Sequence, residues 1–164
     1  MTDGNFVKVG MADLNVAAEG AVLKTTGLGS CVGLTLFDPQ RQVAGMAHIM
    51  LPSSDIAREG QLNIAKYADT AIPELLNRVV QLGADRKRLV AKLAGGAQMF
   101  AFAGGSDSLR IGPRNVESVK RELDKWAIPV MSEDTGGNYG RTIEFDSRSG
   151  VLTVRSVQYG VKEI

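Results

Sequence analysis

The sequence predicts an α+β protein, a layered sandwich of mixed β-sheets with two main helices. Short β-prone runs recur along the whole chain, neighbouring runs are often joined by tight-turn residues, and only two segments carry apolar residues at helical spacing. A regular βαβ alternation would need a helix after nearly every strand, and those helices are missing from the pattern.

Residues 6–10, Phe-Val-Lys-Val-Gly, open with a β-prone run, and residues 21–26 form a second one before the glycine-rich turn at 27–30. Val32, Leu34 and Leu36 then alternate with Gly33, Thr35 and Phe37, Asp38-Pro39 supplies turn chemistry, and an apolar run follows over 43–51. Together these make a β-hairpin. Pairing Phe37 with Val43 sets Val32 opposite His48 and leaves Cys31 beside it at the strand mouth.

Between residues 66 and 82, Ala68, Ala71, Ile72, Leu75, Leu76, Val79 and Val80 lie along one face of an amphipathic helix that ends at Gly83. Pro73 fits such a helix only near its start. Residues 89–94 read as a strand running into Gly95-Gly96. Residues 115–127 carry Val116, Val119, Leu123 and Trp126 at helical spacing. Strands follow at 128–132, 141–146 and 151–157, the last two joined by the turn at 147–150. No linker, repeat or low-complexity tract divides the 164 residues, so one domain is expected over 1–164.

A formal charge of +1 without a concentration of Lys and Arg gives no reason to expect a nucleic-acid partner. Residues 1–11 lack a cationic start followed by a long apolar run, and no stretch is apolar enough to cross a bilayer; a cytoplasmic protein without membrane insertion is expected. One cysteine excludes an internal disulfide framework, and with one histidine it cannot complete the usual four-ligand Cys/His zinc site. Neither metal nor cofactor is expected.

The chemistry concentrates at Gly27-Leu28-Gly29-Ser30-Cys31, which puts a thiol at the end of a glycine turn. Backbone N–H groups at Gly29 and Ser30 can approach a substrate carbonyl oxygen there, as an oxyanion hole requires. A free thiol titrates near about 8.5, so reactivity at neutral pH needs a neighbouring cation or oriented dipoles. His48 is the only histidine. A Cys/His pair suits amide hydrolysis: the thiolate attacks the carbonyl carbon, the imidazolium protonates the leaving nitrogen, and the imidazole then activates water against the thioester.

Thr25 precedes the turn and could orient the imidazole, although an ordinary strand threonine reads the same way. Cys31 alone equally fits a buried small hydrophobe. Gly27, Gly29 and Gly33 do not match a dinucleotide fingerprint, because the spacing is one residue too long and a strand follows. Gly95-Gly96 and residues 134–138 are lesser candidates for loops near a site. Met99, Phe100 and Phe102 read as core or as a contact patch.

Residues 25–33, then Gly45-Met46-Ala47-His48 and Leu51-Pro52, resemble the signature of the chemoreceptor glutamine deamidase family, CheD. The likeness continues through Lys66-Tyr67-Ala68-Asp69, residues 92–97, Ile111-Gly112 with Arg114-Asn115, and residues 134–137 with Gly140-Arg141. It leaves out the first few residues and 103–109. The resemblance implies that Cys31 is the nucleophile, His48 the general acid/base and Thr25 the residue that orients it. It implies as substrates selected glutamines on the cytoplasmic helices of methyl-accepting chemotaxis receptors, converted to glutamates, with methylesterase activity in some members. It also implies a layered fold similar to Cys/His toxin deamidases, and a partnership with the chemotaxis phosphatase CheC. Alternatives are a regulatory binding partner that stimulates CheC, with catalysis secondary, and a redox-sensing thiol, which the lack of a resolving cysteine disfavours.

Overall fold

A computed structural model describes residues 5–56, 62–99 and 110–164. Ten strands and two α-helices are assigned in it: β1 (Phe6–Lys8), β2 (Leu14–Ala18), β3 (Val22–Leu28), β4 (Val32–Asp38), β5 (Val43–Ile49), α1 (Ala68–Gln81), β6 (Val90–Gly95), α2 (Ile111–Lys125), β7 (Val130–Thr135), β8 (Arg141–Asp146), β9 (Leu152–Ser156) and β10 (Gly160–Glu163). They form two five-stranded sheets, one ordered β1-β3-β8-β9-β10 and the other β2-β5-β4-β6-β7. Both sheets are mixed, because β1 runs parallel to β3 and β6 parallel to β7 while the remaining neighbours are antiparallel. The expected α+β sandwich with two main helices is observed. No helix among the described residues is long and apolar enough to cross a membrane.

Two apolar layers hold the fold together, and strand alternation assigns residues to them. Val32, Leu34 and Leu36 of β4 and Ala47 and Ile49 of β5 face the helices, packing with Ala71, Ile72, Leu75 and Val79 of α1 and Val119 and Leu123 of α2. Phe37, Ala44 and Met46 face the other sheet, packing with Leu23 and Leu28 of β3 and Ile143 and Phe145 of β8. Because β4 and β5 are covered on both faces, every residue in them is buried.

Several expectations are corrected. In the β4–β5 hairpin Gly33, not Val32, stands opposite His48, and Val32 pairs with Ile49. The slip arises at the loop, where Asp38 itself pairs with Val43. The Asp38 carboxylate is 0% exposed and accepts the backbone N–H groups of Gln40 (3.0 Å), Arg41 (3.3 Å) and Asp85 (2.7 Å), as well as Arg88 Nε (3.1 Å) and Nη2 (3.0 Å). The turn is thus wound around a buried carboxylate and closes tighter than Phe37–Val43 pairing requires.

Strands β2 and β10 lie outside the expected set. Helix α2 begins at Ile111 rather than at 115, with Gly112 and Pro113 in its first turn, where the missing proline N–H leaves no helical bond unmade. Pro73 sits inside α1, beyond its first turn, instead of near its start. Phe100 and Phe102 lie outside the described residues.

Burial alone would raise the Asp38 pKa, but the bonds from Arg88 and from the N–H groups of Asp85, Arg41 and Gln40 outweigh it and hold it at about 2. A depressed carboxylate pKa stabilises the fold fully above the unfolded value of about 4, and the contribution disappears as pH falls through the folded value. At neutral pH, Asp38→Ala is expected to cost about 3 kcal/mol in urea denaturation. The stability gap between wild type and Asp38→Asn should narrow as the pH is lowered from about 4 toward about 2.

Candidate active site

Register parity brings the candidate residues together. His48 stands directly across from Gly33, and Cys31 lies two residues before Gly33, so all three belong to the face of β4–β5 that looks toward the other sheet. Gly33 lets Ile143 and Leu28 pack directly against the strand opposite His48, since a Cβ there would lie 2.5 Å from Ile143 Cδ1 and 3.0 Å from Leu28 Cδ1.

Thr25 reaches the same space from the opposing sheet. Its Oγ1 is 2.7 Å from His48 Nδ1. All three residues are buried, Thr25 at 2% exposed, His48 at 0% and Cys31 at 8%. His48 Nε2 has no hydrogen-bond partner among the described residues. Burial pushes the imidazole pKa below its ordinary 6.5. Burial also raises the Cys31 thiol above its ordinary 9.0, against a smaller opposing effect of its own backbone N–H. Both shifts favour a resting pair of neutral thiol and neutral imidazole.

Backbone hydrogen bonds fix the turn that carries Cys31. Gly29 donates its N–H to the Gly27 carbonyl (3.1 Å), while the Gly29 and Cys31 carbonyls accept from Ala97 (2.9 Å) and Gly96 (2.8 Å). The Ser30 carbonyl accepts from Asn115 Nδ2 at 2.9 Å. In a trans peptide the C=O and the following N–H point opposite ways. The N–H groups of Ser30 and Cys31 therefore face away from these anchors.

The lesser candidates flank this turn. Gly95 packs so closely on the Cys31 carbonyl that a Cβ would overlap its oxygen, and its φ of +104° suits glycine. Arg141 of β8 bonds the Gly95 carbonyl (3.4 Å), Asp134 Oδ2 (3.1 Å) and the Tyr139 hydroxyl (3.0 Å). One buried guanidinium thus ties the two sheets together beside the turn. Met99 is exposed and lies over Gly29. Asn115 and Arg141 appeared in the sequence only within the family resemblance; an uncharged amide on a helix and an arginine in a strand give no local signal of reaching a turn far away in the chain.

Two packed mixed sheets joined by a hydroxyl–imidazole contact, with a cysteine on the same face as the imidazole, define an α+β sandwich protein. The family described as "CheD chemotactic sensory transduction" matches residues 50–156, a span that begins just beyond His48. "Chemoreceptor glutamine deamidase CheD" of Halalkalibacterium halodurans is 54% identical over 160 residues, covering 98% of this chain and 99% of the relative. The protein of the same name from Bacillus subtilis is 47% identical across 99% of this chain and 98% of the relative. "Probable chemoreceptor glutamine deamidase CheD" of Geobacillus kaustophilus is 51% identical over the full length of both. The chain belongs to the CheD family.

Gly95→Ala tests how firmly the turn is held. The overlap with the Cys31 carbonyl and the left-handed backbone are expected to cost about 1–3 kcal/mol in thermal or urea unfolding. The rate at which iodoacetamide alkylates Cys31, the only thiol, should change with it.

Proposed function

We propose that this chain hydrolyses glutamine side-chain amides to glutamate on the cytoplasmic helices of methyl-accepting chemotaxis receptors, and works in the cytoplasm, where those helices lie. Its relatives carry the deamidase name. The observation that carries the mechanism is the 2.7 Å contact between Thr25 Oγ1 and His48 Nδ1, which leaves Nε2 unpartnered on the face that Cys31 shares.

In this reading Thr25 accepts a hydrogen bond from Nδ1–H, so Nε2 carries the lone pair. As Cys31 Sγ attacks the glutamine Cδ, its proton passes to Nε2 and the carbonyl oxygen becomes an oxyanion. The N–H groups of Ser30 and Cys31 stabilise that charge. The Ser30 N–H faces away from the anchored carbonyls, and the Gly29 N–H, bonded to Gly27, shapes the turn. Collapse expels ammonia with the proton that His48 returns, leaving a thioester on Cys31. Water then gives its proton to His48 and attacks the thioester; glutamate leaves as Sγ recovers the proton.

The thiolate forms only as its proton moves, so His48 must be neutral at the start. Its lowered pKa keeps the base competent below pH 6.5, and activity falls only as pH drops through that depressed value. The acid limb of kcat/KM should accordingly lie below 6.5. On a recombinant receptor cytoplasmic fragment, ammonia release and mass spectrometry should report glutamine-to-glutamate conversion by wild type and none by Cys31→Ala. His48→Ala, still folded, should lose on the order of 10²-fold in turnover. Conversion by Cys31→Ala, or full turnover by His48→Ala, would overturn the mechanism.

A further inference from the structure

The ladder between β4 and β5 ends at Val32–Ile49, one residue short of Cys31. Beyond that rung the strands part: the N–H groups of Met50 and Leu51 both turn away to the Lys66 carbonyl, at 2.9 and 3.0 Å. The nucleophile and the end of the histidine strand therefore leave the regular sheet at the level where their separation matters for chemistry.

Asn115 spans that gap. Its side chain is 0% exposed, and its single Nδ2 donates to the Ser30 carbonyl at 2.9 Å and to the Met50 carbonyl at 2.9 Å. Ser30 immediately precedes Cys31, and Met50 follows His48 by two residues. Helix α2 can come this close because Gly112 has no Cβ; one there would overlap the Ala97 carbonyl. The packing of Val119 and Leu123, farther along α2, secures the helix independently of the amide.

Resting on the functional reading above, we propose that Asn115 is a positioning residue for the hydrolysis. One amide group, bonded to both diverging segments, sets the alignment of Cys31 with His48. An aspartate there keeps the shape but, once ionised, loses both donors and sets its charge against two carbonyl oxygens. A serine keeps one donor and cannot span both.

The test compares Asn115→Asp and Asn115→Ser with wild type, each checked for folding by thermal melting, with Ser118→Ala as control. Ser118, on the same helix, donates only to the Pro52 carbonyl at 2.7 Å, so its loss should leave the site unaltered. The readouts are kcat and KM on the receptor fragment and the pH profile of Cys31 alkylation by iodoacetamide, the latter repeated in a His48→Ala background. Either Asn115 variant should lower kcat about tenfold or more with little change in KM. Its alkylation profile should move upward toward that of His48→Ala. In the His48→Ala background the same substitution should change alkylation by less than about twofold, because the pair being aligned is already gone.

A folded Asn115 variant with the wild-type pH profile, or an equal effect in both backgrounds, would overturn the positioning role alone. Wild-type alkylation indifferent to His48→Ala would instead overturn the Cys/His pair itself, and the positioning role with it. Should Asn115→Asp not fold, Asn115→Ser carries the same comparison.

Discussion

Asp38 is a small part of the molecule, but the arrangement of the site depends on how it is held. Its carboxylate, closed off from water and saturated by backbone N–H groups and Arg88, winds the β4–β5 loop so that Asp38 pairs with Val43. Side chains alternate faces at every residue, so this pairing decides which residues of the two strands share a face. Moved by one residue, His48 would stand across from Val32 on the helix-facing side, and Cys31 would point the other way. An electrostatic clasp at one end of the hairpin thus decides whether Cys31 and His48 share a face at the other.

The two-sided burial of that hairpin reinforces the choice. The helix face takes Val32, Leu34, Leu36 and Ile49, while the sheet face takes Phe37, Ala44, Met46 and Cys31. A slipped register would move branched aliphatic side chains from the helix layer into the space around Gly33, where even a Cβ crowds Ile143. Burying an imidazole in such a layer is costly unless it is hydrogen-bonded. Thr25 answers that need at Nδ1 from across the sandwich, so the contact that holds the two sheets in relation also fixes the ring.

Around the turn, backbone contacts stand in for side chains. Gly95 and Gly96 run against the Cys31 carbonyl, and Arg141 and Asp134 lock the adjoining strands. Helix α2 closes the remaining side with Asn115. The site is assembled from both sheets and a helix, and its geometry belongs to their packing rather than to one loop.

Much of this was legible in the chain. The alternation of Val32, Leu34 and Leu36, the helical spacing of 68–80 and 116–126, and the glycine turn before the one cysteine determined the fold class, most of the elements and the candidate site residues. Strand β2 leaves little trace in the sequence because Leu-Asn-Val-Ala-Ala has weak β preference, and β10 because all four of its residues are exposed and its pairing with β9 leaves no apolar pattern. The start of α2 was hidden by Gly112 and Pro113, breakers in a helix interior that a first turn accommodates. Tertiary structure alone decided the hairpin register, the Thr25–His48 contact and the reach of Asn115. Register depends on how a loop closes around Asp85 and Arg88, residues far along the chain from Asp38, and contacts between separated elements carry no periodic trace in the sequence from which they could be read.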